Sequence, residues 1–182
     1  MKTAVVTGAN GFVGSAVVRE LLQHDYYIYA LDLQGCNYNI PDDSQVQFIA
    51  CDLSDLVALP ERIPLLDNAL FFHFAWAGSA GPARADTALQ LQNAQWTVDA
   101  LRVAKQLGCR RFLCAGSIME HETMAAAYTQ GNRPGLGYIY GGGKLIAHVM
   151  CMSVAADIGI ELVWPEITNA YGVGERSPRL VN

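Results

Sequence analysis

Thr7-Gly8-Ala9-Asn10-Gly11-Phe12-Val13-Gly14 sits between an apolar run, Ala4-Val5-Val6, and a helical pattern, Ser15-Ala16-Val17-Val18-Arg19-Glu20-Leu21-Leu22. A strand, a glycine-rich turn and a helix in that order open a dinucleotide-binding βαβ unit. The helix start aims unpaired backbone N–H groups and the positive end of its dipole at one spot, which suits a pyrophosphate. Gly8 permits the tight turn, Gly11 lets the backbone approach the phosphates, and Gly14 lets the helix pack on the strand. Asn10, Phe12 and Val13 share this cradle and count with the glycines as cofactor contacts.

An ordinary tight βα loop also uses glycine, so the turn needs its context. A second apolar run, Tyr27-Ile28-Tyr29-Ala30-Leu31, ends in Asp32-Leu33. That is where a dinucleotide fold places a carboxylate for the adenosine ribose hydroxyls. A 2′-phosphate there would meet like charge, so Asp32 favours NAD over NADP. The competing reading of Asp32 is a cap or turn residue after a strand.

Strand and helix patterns then alternate along the chain, which implies a doubly wound parallel sheet of Rossmann type with helices on both faces. Strands are expected near 46–51, 69–74, 111–115 and 161–164. A short helix is expected near 54–62 and long helices over 86–107 and 139–157. Segments 78–86 and 119–137 read as loops. Residues 1–169 form the cofactor-binding domain, and 170–182 read as the start of a substrate-binding region that is cut short.

Composition narrows the function classes. The chain has 182 residues, 52% hydrophobic and 16% charged, with 12 basic and 17 acidic side chains and a formal net charge of -5. This is a core-forming composition rather than a disordered one. No basic run supports nucleic-acid binding. No signal-peptide pattern and no apolar run long enough for a membrane are expected. Cys36, Cys51, Cys109, Cys114 and Cys151 include no C-x-x-C pair. They read as reduced, largely buried thiols of a cytoplasmic protein, and no metal site is expected.

Tyr140 and Lys144 have the spacing Y-x-x-x-K, which puts both on one helix face. An ammonium beside the phenol favours the phenolate and makes Tyr140 a general acid/base candidate. Ser117 falls just past the end of the fifth strand, where open α/β sheets place their ligands. Its hydroxyl could hold a substrate oxygen while Tyr140 moves the proton.

Together these residues resemble the extended short-chain dehydrogenase/reductase superfamily, in particular its NAD-dependent sugar-nucleotide epimerase/dehydratase family. The turn at 7–14 matches the family's T-G-x-x-G-x-x-G motif and Asp32 its ribose-binding acid. Asp52-Leu53 matches its element beside the adenine. His73-Phe74-Ala75-Trp76-Ala77 resembles its H-x-A-A segment near the pyrophosphate. Asn93 falls where the family carries a structural asparagine. Ser117, Tyr140 and Lys144 fall on its Ser–Tyr–Lys triad, and 168–174 resembles its R-x-x-N-x-Y-G-x-G segment.

The resemblance implies NAD as cofactor, held by the turn residues, Asp32, Leu33, Asp52, Leu53, Phe74, Ala75, Trp76, Asn93, Tyr140 and Lys144. It implies a nucleoside-diphosphate sugar as substrate, near Ala77, Ser117, Met119 and Asn169. It also implies a homodimer formed through the two long helices. The family's arginine is Glu166 here, which changes the charge near the substrate cleft. Ile118 and Met119 stand where dehydratases carry acids, so epimerisation or 4-keto reduction is favoured over dehydration. A non-catalytic NAD-binding module and a reductase of another small carbonyl compound are the alternatives. His73 reads as a cofactor-contact or structural residue. Trp76 and Trp96 read as packing residues, and Glu120, His121 and Glu122 as a solvated loop. Gly141-Gly142-Gly143 within a helix calls for close packing.

Overall fold

The computed structural model describes residues 2–172 and Glu175. Six parallel strands form the sheet: β1 (Lys2–Thr7), β2 (Tyr26–Asp32), β3 (Val46–Ala50), β4 (Ala69–His73), β5 (Cys109–Cys114) and β7 (Glu161–Val163). Their order across the sheet is β3-β2-β1-β4-β5-β7. The chain winds outward from β1 in one direction, then restarts at β4 in the other. The crevice between the carboxyl ends of β1 and β4 is therefore the switch point at which such sheets bind ligands.

The central strands β1 and β2 are buried on both faces, so they read as near-continuous apolar runs rather than alternating ones. Val5, Phe71 and Phe112 are fully buried and build the core under α2 (Thr87–Gln106) and α4 (Tyr138–Ile158). Ala4, Val6, Val18 and Ile28 build the core under α1 (Phe12–Gln23) on the opposite face. Phe71 and Phe112 stack across β4 and β5 with centroids 5.5 Å apart.

The expected strands and long helices form within a few residues of their expected limits. The short helix near 54–62 is a 3-10 segment, Leu53–Glu61, capped by the Asp52 carboxylate on Ser54 N–H. The segment 78–86 contains a 3-10 turn, Pro82–Ala85. The segment 119–137 is only partly a loop, because it holds helix α3 (Met119–Tyr128). A small second sheet, β6 (Gly116–Ser117) paired with β8 (Glu166–Ile167), was not expected. Most of 170–182, including Val173, Gly174 and the stretch from Arg176 onward, lies outside the described residues.

The glycine triplet of α4 is explained at two of its three positions. A Cβ at Gly141 would strike Thr123 Oγ1 and lie 2.6 Å from the Met119 carbonyl oxygen of α3. A Cβ at Gly143 would lie 3.0 Å from Gln90 of α2. Gly142 faces open space. The triplet thus lets α4 wedge between α2 and α3, although each glycine costs a helix interior about 1 kcal/mol.

Helix α4 also corrects the expectation about apolar runs. It is long and apolar enough to cross a membrane by length and composition, with a mean hydropathy of 1.2 over its best window. Its own side chains give another reading, since it buries Lys144 and packs on α2 and α3.

Candidate active site

The carboxyl ends of β1 and β4 open into a cleft of about 1530 Å³. At one end, Gly8 takes φ +67° and lies so close to the chain after β4 that a Cβ would sit 2.6 Å from Ala75 N. A Cβ at Gly14 would strike the Gly8 carbonyl. Helix α1 starts at Gly11 without a side-chain cap. Gly8, Asn10, Gly11, Phe12, Val13 and Gly14 line the cleft, and an uncapped helix start in a glycine cradle fits an anionic phosphate group.

Asp32 closes β2 beside this turn. Its carboxylate accepts the Asn10 N–H at 2.9 Å and the Leu33 N–H at 2.9 Å, so it stands at the cleft wall in a fixed orientation. The Asn10 side chain accepts the Asn39 N–H at 2.8 Å and ties the loop after β2 to the turn. Asp52 and Leu53 line the same end. The two N–H and O–H bonds from Ser54 hold the Asp52 carboxyl below the usual carboxylate range.

Phe74, Ala75, Trp76 and Ala77 line the cleft between the glycine turn and Tyr140. Asn93, named from the sequence as a cofactor contact, does not line the cleft. It lies buried on α2, where its amide accepts the Ala77 N–H at 2.9 Å and donates to the Ala77 carbonyl at 2.8 Å. It clamps the wall from behind.

His73 also stays beneath the wall instead of lining it. The Thr97 hydroxyl donates to Asn93 O, so Thr97 Oγ1 accepts from His73 Nε2–H, and Nδ1 accepts the Thr7 hydroxyl. Burial, with the Lys144 charge second, pushes this imidazole down from 6.5 to about 3. In an unfolded chain the ring titrates near 6.5, so acid favours unfolding. Stability from the neutral ring is complete above that pH and is lost as pH falls towards 3, at up to ~1.4 kcal/mol per pH unit. A His73→Asn variant is expected to be less stable at pH 7 but to have a flatter loss of stability between pH 6 and 4. Urea unfolding across that range checks this; parallel pH profiles would remove His73 as the cause.

Ser117, Tyr140 and Lys144 line the same cleft. Lys144 is buried, and its ammonium donates to the Ala115 carbonyl at 2.8 Å and lies 3.7 Å from the centroid of Trp76. Burial pushes its pKa down, against the pull of Cys114 and Glu120. The Trp76 indole donates to Gln90 Oε1 at 2.8 Å and meets the Tyr140 ring edge-on. Trp76 is therefore a cleft wall as well as a packing residue, and Trp96 lines the cleft too.

Several cleft features were missed in the sequence. The Arg84 guanidinium lies 4.0 Å from the Tyr140 ring centroid, anchored by the Ser79 carbonyl at 2.9 Å. No motif marks Arg84; only its nearness in space does. Both Glu120 and Glu122 lie on α3 rather than in a loop; Glu122 is exposed and lines the cleft, while Glu120 is buried. Met119 and Asn169 line the cleft. Glu166 does not line it; its carboxylate accepts from His121 Nε2 at 2.7 Å. Among the described residues, no group of three or more His, Cys, Asp or Glu could hold a metal ion. Burial raises the Cys109 and Cys114 thiols to about 12, so both are unreactive.

The strand order and the covering helices define a Rossmann-type fold. The chain belongs to the NAD dependent epimerase/dehydratase family, whose model matches residues 4–182. Similar solved structures include UDP-glucuronic acid 4-epimerase from Bacillus cereus in complex with UDP-glucuronic acid and NAD. It is 22% identical with a TM-score of 0.73, over 97% of this chain and 60% of that one. Epimerase Mth375 from Methanothermobacter thermautotrophicus is 22% identical with a TM-score of 0.74, over 96% of this chain and 53% of that one. A UDP-galactose 4-epimerase is 23% identical with a TM-score of 0.69, over 89% and 54%. This chain thus spans little more than half the length of these structures. No curated protein sequence matches it.

Proposed function

We propose that this protein is an NAD-dependent epimerase or 4-keto reductase acting at a sugar carbon of a nucleoside-diphosphate sugar. The observation that carries the reading is the single cleft containing the glycine turn, Asp32, Ser117, Tyr140 and Lys144. Its volume exceeds the roughly 300–1,000 Å³ of a typical small-molecule site, which suits a dinucleotide with a second ligand beside it. Neighbouring structures solved with UDP-glucuronic acid and NAD support the same ligand pair.

The turn at 8–14 would hold the pyrophosphate, Asp32 the adenosine ribose, and Lys144 the nicotinamide ribose. The bound nicotinamide supplies a hydride acceptor and donor. Ser117 orients the sugar oxygen, and Tyr140 takes its proton and gives it back. The Arg84 guanidinium stands over the Tyr140 ring, and Lys144 lines the same cleft. A homodimer through α2 and α4 fits the exposed apolar side chains of Leu91, Val149, Met150 and Met152.

Calorimetric titration with NAD and NADP tests the cofactor assignment. NAD is expected to bind more tightly, and Asp32→Asn to narrow the preference about tenfold by removing the charge that repels a 2′-phosphate. Equal affinity for both cofactors in the unaltered protein would count against the reading.

A further inference from the structure

We propose that Glu120 is a positioning residue for Ser117, joining the strand that carries the serine to the helix that carries Tyr140 and Lys144. The inference rests on the catalytic reading of Ser117 given above. Glu120 is 2% exposed and does not line the cleft. Its Oε1 accepts the Ser117 N–H at 2.8 Å and the Trp164 indole N–H at 3.1 Å. Its Oε2 accepts from His148 Nδ1 at 2.8 Å. A carboxylate can only accept, so all three N–H groups converge on it with compatible polarity.

The surroundings are built around this contact. The His148 and Trp164 rings stack with centroids 4.6 Å apart and planes at 5°. A Cβ at Gly116 would lie 2.5 Å from Trp164 Nε1 and 3.0 Å from Glu120 Oε1, so glycine leaves the indole and carboxylate their place. Among the described residues strand β6 pairs only with β8, through two residues, and β8 leaves the Ser117 N–H to Glu120. His148 stands one helical turn beyond Lys144 on α4. The carboxylate therefore fixes the serine backbone relative to the other two site residues.

The serine hydroxyl completes the argument. Ser117 Oγ accepts the Met119 N–H at 3.2 Å, which leaves its hydrogen to donate into the cleft. Moving the Ser117 backbone by a fraction of an ångström would misdirect that donor, and catalysis is sensitive to such shifts.

A double-mutant cycle on the protein at its natural length tests this, with UDP-glucuronic acid and UDP-galactose as probes and Ser117→Ala, Glu120→Gln and the pair as variants. Glu120→Gln is expected to lower kcat about 10- to 100-fold with KM and NAD affinity nearly unchanged, since an amide oxygen accepts the Ser117 N–H more weakly than a carboxylate does and its NH2 forces His148 Nδ1 to switch from donor to acceptor. In the Ser117→Ala background the same change is expected to cost almost nothing, because the hydroxyl it positions is gone. A wild-type kcat in Glu120→Gln, or losses that multiply in the double variant, would overturn the positioning role. Full activity in Ser117→Ala, or no turnover of either probe by the unaltered protein, would instead overturn the catalytic reading beneath it. Should Glu120→Gln fail to fold, His148→Gln at the same carboxylate carries the test, with about a threefold to tenfold kcat loss that vanishes beside Ser117→Ala.

Discussion

Replacing Tyr140 by phenylalanine is expected to lower turnover about 1,000-fold while NAD affinity stays within about twofold. The change removes one oxygen, and the ring that meets Trp76 and lies under Arg84 remains. The wall of the cleft should therefore keep its shape, and the loss should fall on proton transfer. A drop in kcat with little change in KM is the signature of an interaction made only in the transition state. Steady-state kinetics and NAD titration on the same preparation check both halves. Full turnover by the phenylalanine variant would sink the acid/base role of Tyr140.

The second large effect concerns the fold at the cleft. Gly8→Ala is expected to lower the melting temperature by roughly 10 °C and to abolish NAD binding. A side chain at φ +67° carries a left-handed penalty of roughly 1–2 kcal/mol. The new Cβ would also meet Ala75 N and the Phe74 carbonyl carbon at 2.6 and 2.8 Å. Both are backbone atoms, so relief requires moving the turn or the chain after β4, adding about 1–3 kcal/mol. The turn and the segment at 74–75 are both cleft walls, so stability and binding should fall together. Gly142→Ala, with open space around it, serves as the control and is expected to gain about 0.5–1 kcal/mol. Thermal unfolding of the two variants decides, and a Gly8→Ala protein that melts with the wild type would contradict the packing described.

The sheet was legible because its central strands are short apolar runs, and β1, β2 and β5 end near Gly8, Asp32 and Gly116-Ser117. The turn at 7–14 was legible for a related reason: each of its outer glycines stands against backbone that no side chain could approach. Helix α3 was hidden. It buries only Glu120 and Ala126, so its ten residues show no apolar stripe at helical spacing. With α3 read as a loop, Glu120 passed for a solvated acid, although it is the hub of a buried cluster. Asn93 could be placed near the cofactor by its helix, but its role depends on which backbone it meets, and that is the chain at Ala77. Arg84 and Tyr140 are far apart in sequence and meet only through the 3-10 turn at 82–85. Contacts of this kind have no local pattern to read.

The proposed function is chemistry at a sugar carbon of a nucleotide sugar, with Tyr140 moving the proton beside a bound nicotinamide. The most direct test is proton NMR of UDP-glucuronic acid and UDP-galactose incubated with catalytic amounts of the protein at its natural length. One set is run with NAD alone, and a second supplies NADH with the corresponding 4-keto sugar nucleotide. The expected product differs from the starting sugar at C4 only, in one of the two sets. Protein that binds NAD yet leaves every one of these nucleotide sugars unchanged would contradict it.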